Sequence, residues 1–153
     1  MRPIPTLVFL LLASAAQADA PVLTGAVWSV CGDDGVYTWH DTRLTFTQQT
    51  PNAEDGADRL VGFFDWQSSG GHFGREQFTG FITDDGALVL QGQSLEDTDY
   101  SIVTSRYEAQ VNAEGTVSFD GVWLDGAPGI WAATRDGGAG TGTSLCDLAD
   151  QIS

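Results

Sequence analysis

The sequence predicts an all-β chain, folded as a small antiparallel up-and-down β-barrel of about eight strands, with a two-sheet β-sandwich as the alternative. Three observations carry this. Apolar and polar residues alternate with period two through much of the chain, and helical periodicity is almost absent. Turn residues punctuate the alternation about every eight to twelve positions, the spacing of short sequential strands. Glycine is abundant, 19 of 153 residues, and several glycines fall inside strand patterns, where a coiled sheet bends or backbones approach closely.

Residues 1–20 read as an export signal rather than as part of the fold. Arg2 supplies the positive start, residues 6–16 form an apolar run, and Ala16, Ala18 and Ala20 offer cleavage after Ala18 or after Ala20. The run is too short for a bilayer span, which needs about 20 residues. No cysteine stands at the cleavage site, so no lipid anchor is expected. The expected location is the periplasm or the exterior, with one barrel domain over 21–135 and a glycine-rich tail over 136–153.

Strands are expected over 26–30, 36–40 running into 43–49, 59–66, 75–83, 87–93, 102–111, 116–124 and 130–134. Over 102–111 the pattern sets Val103, Tyr107, Ala109 and Val111 on one face, and Ile102, Thr104, Arg106, Glu108 and Gln110 on the other. Three segments share an apolar-polar-Gly-apolar-apolar shape, centred on Gly25, Gly80 and Gly121, and imply a repeated hairpin plan. A membrane barrel would need a continuous lipid-facing apolar row. The outer rows here carry Arg106, Glu108, Gln110, Ser118 and Asp120, so membrane insertion is not expected.

Charge excludes several activities. There are 21 acidic residues against six basic ones, all arginine, for a formal charge of −15. No lysine exists to form a Schiff base or to grip a phosphate in a nucleotide loop. The acidic field repels nucleic acid and anionic lipid. Seven acids stand directly before glycine: Asp34, Asp55, Asp85, Glu114, Asp120, Asp125 and Asp136. Asp-Gly suits the type I′ hairpin turn, whose two central residues need positive φ. Asp84-Asp85-Gly86 and Asn112-Ala113-Glu114-Gly115 are therefore hairpin signals; Asp120 alone lies inside a strand pattern.

Gly25 near Trp28 in the first strand, Gly121 before Trp123 late in the chain, and the sequential meander together resemble the lipocalin and avidin-type barrels. The chain departs from their first-strand Gly-x-Trp, since two residues separate Gly25 from Trp28. Val30 stands where avidins carry an asparagine. The resemblance implies a closed meander and transfers no ligand and no binding residue.

Candidate sites follow from residue chemistry. Export favours a disulfide between Cys31 and Cys146, closing more than 100 residues and stabilising by about 4–5 kcal/mol in the loop-entropy model. Trp39, Trp66 and Trp123 are candidates for stacking on a small apolar or sugar-like ligand at one rim, against the alternative that they fill the interior. His40 beside Asp41, and His72 in a glycine-rich loop, are the candidates for acid–base chemistry. No metal signature or nucleophile elbow accompanies them, and the acids Glu96, Asp97 and Asp99 lack the spacing of a calcium loop. No cofactor and no metal are expected. The sequence thus points to an exported, soluble, non-catalytic binding or accessory protein. The alternatives are a periplasmic inhibitor of a basic protein such as lysozyme, and a small hydrolase-type enzyme using His40 or His72 with neighbouring carboxylates.

Overall fold

The computed structural model describes residues 19–52, 54, 56–111, 118–123 (backbone only) and 129–135. Among the described residues there are eight strands, β1 (Val27–Asp33), β2 (Thr38–Thr50), β3 (Ala57–Gln67), β4 (Phe73–Thr83), β5 (Ala87–Glu96), β6 (Arg106–Val111), β7 (Ser118–Trp123) and β8 (Gly129–Arg135). Each pairs antiparallel with its sequence neighbour, and β8 returns to β1, with Cys31 opposite Ala132. The meander is a closed barrel, so among the described residues no sheet edge is left for another chain to pair with.

Alternation sorts the side chains as period two requires. Leu60, Phe64 and Trp66 on β3, Phe78 and Ile82 on β4, and Leu88 and Leu90 on β5 are buried inside. Arg75 and Asp65 face outward and pair at 2.6 Å, with the Arg75 guanidinium 4.1 Å above the Phe63 ring. The outward hydrogen bond from Arg75 to Asp65 raises the guanidinium's pKa further above its ordinary value.

Glycine permits the strong curvature of the long strands. A Cβ on Gly62 would lie 2.1 Å from the Thr45 carbonyl oxygen and 2.6 Å from the Phe78 ring; one on Gly80 would lie 2.2 Å from the Val89 carbonyl oxygen. Backbone atoms cannot rotate away, so the sheet itself would have to shift. Gly62→Ala is expected to cost about 2–3 kcal/mol, the upper part of the overpacking range. A urea unfolding curve checks it, through a lowered midpoint at unchanged slope.

The structure corrects two local readings. The strand expected over 102–111 begins at Arg106, because residues 97–105 form a loop that folds back over the barrel end. Ile102 is therefore buried and Val103 is exposed, the reverse of the alternation read from the sequence. The hairpin at 84–86 is also not type I′. Asp85 does not have positive φ; only Gly86 does, at 84°, and the Gly86 N–H donates to the Thr83 carbonyl at 2.9 Å. This is a three-residue connection whose final glycine takes the left-handed conformation. Gly35, with φ of 79°, likewise takes that conformation after Asp34. Asp55, residues 112–117, Asp125, Asp136 and the tail over 136–153 lie outside the described residues, as does the expected export signal up to residue 18.

Candidate functional site

The most distinctive group is a carboxyl group inside the barrel. Period two on β4 places Glu76 on the same face as Phe78 and Ile82, and it is 0% exposed. Three donors surround it. Trp66 Nε1–H donates to Oε2 at 2.8 Å, the Tyr107 hydroxyl donates to Oε2 at 2.5 Å, and the Ser105 N–H donates to Oε1 at 2.8 Å. Gly92 makes the room: a Cβ there would fall 2.0 Å from Glu76 Oε1. Burial pushes the Glu76 carboxyl above the usual carboxylate range, and the three hydrogen bonds offset only part of that. Burial, and the adjoining carboxyl, also drive the Tyr107 hydroxyl well above its ordinary value.

Aromatic rings enclose this group. Trp66 stacks on Phe64 at 4.7 Å between ring centroids, and Trp39 meets Trp66 edge-on at 5.5 Å. Phe64 in turn contacts Phe78, Tyr107 and Trp131 at 4.7 to 5.9 Å. These are separations at which rings pack directly against one another.

Above the carboxyl lies one end of the barrel, formed by the loops 34–37, 68–72 and 97–105. They are tied in a row. Ser69 N–H donates to the Thr38 carbonyl at 2.8 Å, the Tyr37 and His72 rings meet edge-on at 4.7 Å, and His72 Nδ1 is 2.8 Å from Asp99 Oδ2. The hydrogen bond to His72 lowers the pKa of Asp99. Asp34 resists its own partial burial by accepting from the N–H groups of Tyr37 and Val36 and from Trp39 Nε1, which together lower its pKa.

No protein-family model, curated protein or solved structure matches the chain.

The residues singled out by the sequence are distributed as follows. Trp39 and Trp66 lie together, but within the core, at 9% and 7% exposure; their indole N–H groups are engaged by Asp34 and Glu76. The backbone of Trp123 pairs with Tyr107 and Gly129, and its side chain lies outside the described residues. His40 and Asp41 form a bulge on β2 opposite Cys31, where the register shifts; Asp41 is exposed and has φ of 56°. His72 belongs to the loop end, with Tyr37 and Asp99 as partners. Cys31 is on β1, and Cys146 lies outside the described residues. Among the described residues no three His, Cys, Asp or Glu side chains gather where they could hold a metal ion.

Sequence reading passed over Glu76, and the signal that would have found it was available. Gly74, Glu76, Phe78, Gly80 and Ile82 form one period-two row, so an inward Phe78 and Ile82 require an inward Glu76. A glutamate in such a row is either functional or held by buried donors.

Proposed function

We propose that this is an exported, soluble, non-catalytic binding or accessory protein that meets its partner on the loop end of the barrel rather than in an internal cavity. The observation that carries the reading is the packing of the interior. Inside the barrel Phe64, Trp66, Phe78, Tyr107 and Trp131 pack ring against ring, and Glu76 uses its acceptors on donors from the protein itself. Small barrels either fill their interior with side chains or hold one small ligand there. The loop end, in contrast, offers an outward surface with Val36, Phe73, Tyr100 and Val103 all exposed.

The test is a titration of the mature protein with small ligands, one lipid, one sugar and one aromatic, followed by tryptophan fluorescence. Trp39 and Trp66 stand where an internal ligand would have to pass or bind. The expected result is no saturable change with any of the three. A saturable response that is lost in Trp66→Phe would overturn the reading.

Export and the Cys31–Cys146 bridge belong to the same proposal. A bridge would anchor the tail to β1 beside the β8 pairing. Thiol titration of the mature, non-reduced protein should find no reactive thiol, and two would remove the bridge from the proposal.

A further inference from the structure

Residues 97–105 form a loop built to hold a fixed shape. Its first half is fastened by the His72–Asp99 contact at 2.8 Å and by the Asp99 N–H, which donates to the Phe73 carbonyl at 3.2 Å. Its last residue is fastened twice, by the Ser105 N–H on Glu76 at 2.8 Å and by the Ser105 carbonyl, which accepts from the Gly92 N–H at 2.8 Å. Between these clasps Ile102 is pressed into the core above Gly74, where a Cβ would fall 2.6 Å from Ile102 Cδ1 and 2.8 Å from Thr98 Cβ.

What this scaffold presents is unusual. Tyr100 is 91% exposed and has φ of 67°, a left-handed conformation that a bulky residue adopts only when its surroundings impose it. Asp97, three residues earlier, has φ of 43°. The Tyr100 N–H donates to Thr98 Oγ1 and the Ser101 N–H to Asp99 Oδ1, each at 3.0 Å, so the turn is held while the tyrosine ring stays in solvent. Val103 at 59% and Phe73 at 50% are exposed at the same end, the Phe73 carbonyl accepting from the Asp99 N–H, and Glu96, Asp97 and Asp99 add negative charge within four residues of Tyr100 in the chain. An exposed tyrosine on a preorganised loop is the composition of an interface anchor, because little entropy is lost when it binds.

We propose that the 97–105 loop is the primary docking element of the loop end, that Tyr100 is its anchor, and that its occupant is a basic protein. This rests on the loop-end reading above and names the partner class. The charge argument is specific to the occupant: the chain carries −15 formal charges, and the acids beside Tyr100 would leave an acidic or neutral partner repelled or unmatched. Arginine side chains on such a partner could lie on the tyrosine face while pairing with the neighbouring carboxylates.

The experiment immobilises the mature protein and measures binding of three basic proteins, lysozyme, ribonuclease A and cytochrome c, at about 150 mM salt, where diffuse attraction is largely screened. Tyr100→Ala tests the anchor. Asp97→Asn and Glu54→Gln each remove one exposed acid, the first beside Tyr100 and the second at the opposite end of the barrel. At least one probe should bind saturably, tenfold or more weakly to Tyr100→Ala, and more weakly to Asp97→Asn than to Glu54→Gln. Thermal melts of all variants confirm that each remains folded; an exposed side chain leaves the core untouched. Absence of saturable binding by all three probes overturns the inference, as does equal binding by wild type and Tyr100→Ala. Either result, with the small-ligand titration still silent, would leave the loop-end reading standing. A saturable small-ligand response would instead remove the reading beneath it.

Discussion

Replacing Glu76 with alanine is expected to destabilise the barrel by about 3–5 kcal/mol, a large share of the stability of a domain this size. The cost comes from what is left behind. Trp66 Nε1–H, the Ser105 N–H and the Tyr107 hydroxyl all donate to Glu76, and all three of these hydrogen bonds are lost together. Unsatisfied buried donors cost about 1–3 kcal/mol each, reduced here because the hydroxyl can rotate. Glu76→Gln removes the titrating group while keeping an acceptor at one of the two oxygen positions. Because burial raises the folded-state pKa of Glu76 above its ordinary 4.5, the folded protein holds that proton more tightly than the unfolded chain does. Its contribution to stability is therefore complete below about pH 4.5 and is lost as pH rises through the folded value. Asp34, Asp85 and Asp99 have lowered pKa values and slope the other way, so the wild-type profile alone does not isolate Glu76. The difference between wild type and Glu76→Gln does. Urea midpoints measured from pH 4 to 8 should show the glutamine variant gaining on wild type as pH rises. A constant difference across that range would mean that Glu76 titrates as it does in the unfolded chain.

The barrel itself was legible because closure and alternation leave marks in sequence. The strands other than β6 lie close to where alternation places them, since Val, Ile, Leu and aromatic residues recur at alternate positions between turn residues. What escaped was whatever depends on residues far apart in the chain. The 97–105 loop reads as the start of a strand, because Ile102, Val103 and Thr104 have the residue types of one; only Ser105 meeting Glu76, 29 positions away, shows why it turns. Asp99 reads as one of three acids without the spacing of a calcium loop, and it is a fastening for His72, 27 positions away. His72 was singled out for its chemistry and proves to be placed by that fastening. The three shared glycine segments also separate once built: Gly80 is required by a close approach to Val89, whereas Gly25 is required by φ of 78°, with open space around it. One sequence pattern therefore serves two physical needs, and the pattern alone does not distinguish them.

Negative charge has a similar double meaning. Several acids before glycine act locally, as Asp34 does toward Val36, Tyr37 and Trp39. The acids beside Tyr100 do not all serve turns in this way. Asp97 stands exposed at a strained position next to the anchor, which is where charge would guide a partner rather than shape a hairpin.

Phe64→Ala should produce the second large effect and also tests the filled interior directly. Phe64 is 0% exposed and its ring touches those of Trp66, Phe78, Tyr107 and Trp131. Removing a buried phenylalanine ring costs about 3–5 kcal/mol, made up of lost transfer energy and the cavity left behind. The neighbours cannot easily close that cavity, because Trp66 and Tyr107 are held by Glu76 and Phe78 abuts the Gly62 backbone. The variant should therefore unfold at lower urea concentration, with an unchanged slope. It should also acquire an apolar cavity able to bind benzene, as engineered apolar cavities in protein cores do, which the proposed packed interior of wild type would not offer. Saturating benzene should then raise the melting temperature of Phe64→Ala and leave that of wild type unchanged. If benzene stabilised wild type to the same extent, the interior would already contain room for a ligand, and the case for a partner at the loop end would lose its foundation. If it stabilised neither, the rings around position 64 would have collapsed into the space, and a measured cost below about 3 kcal/mol should accompany that result.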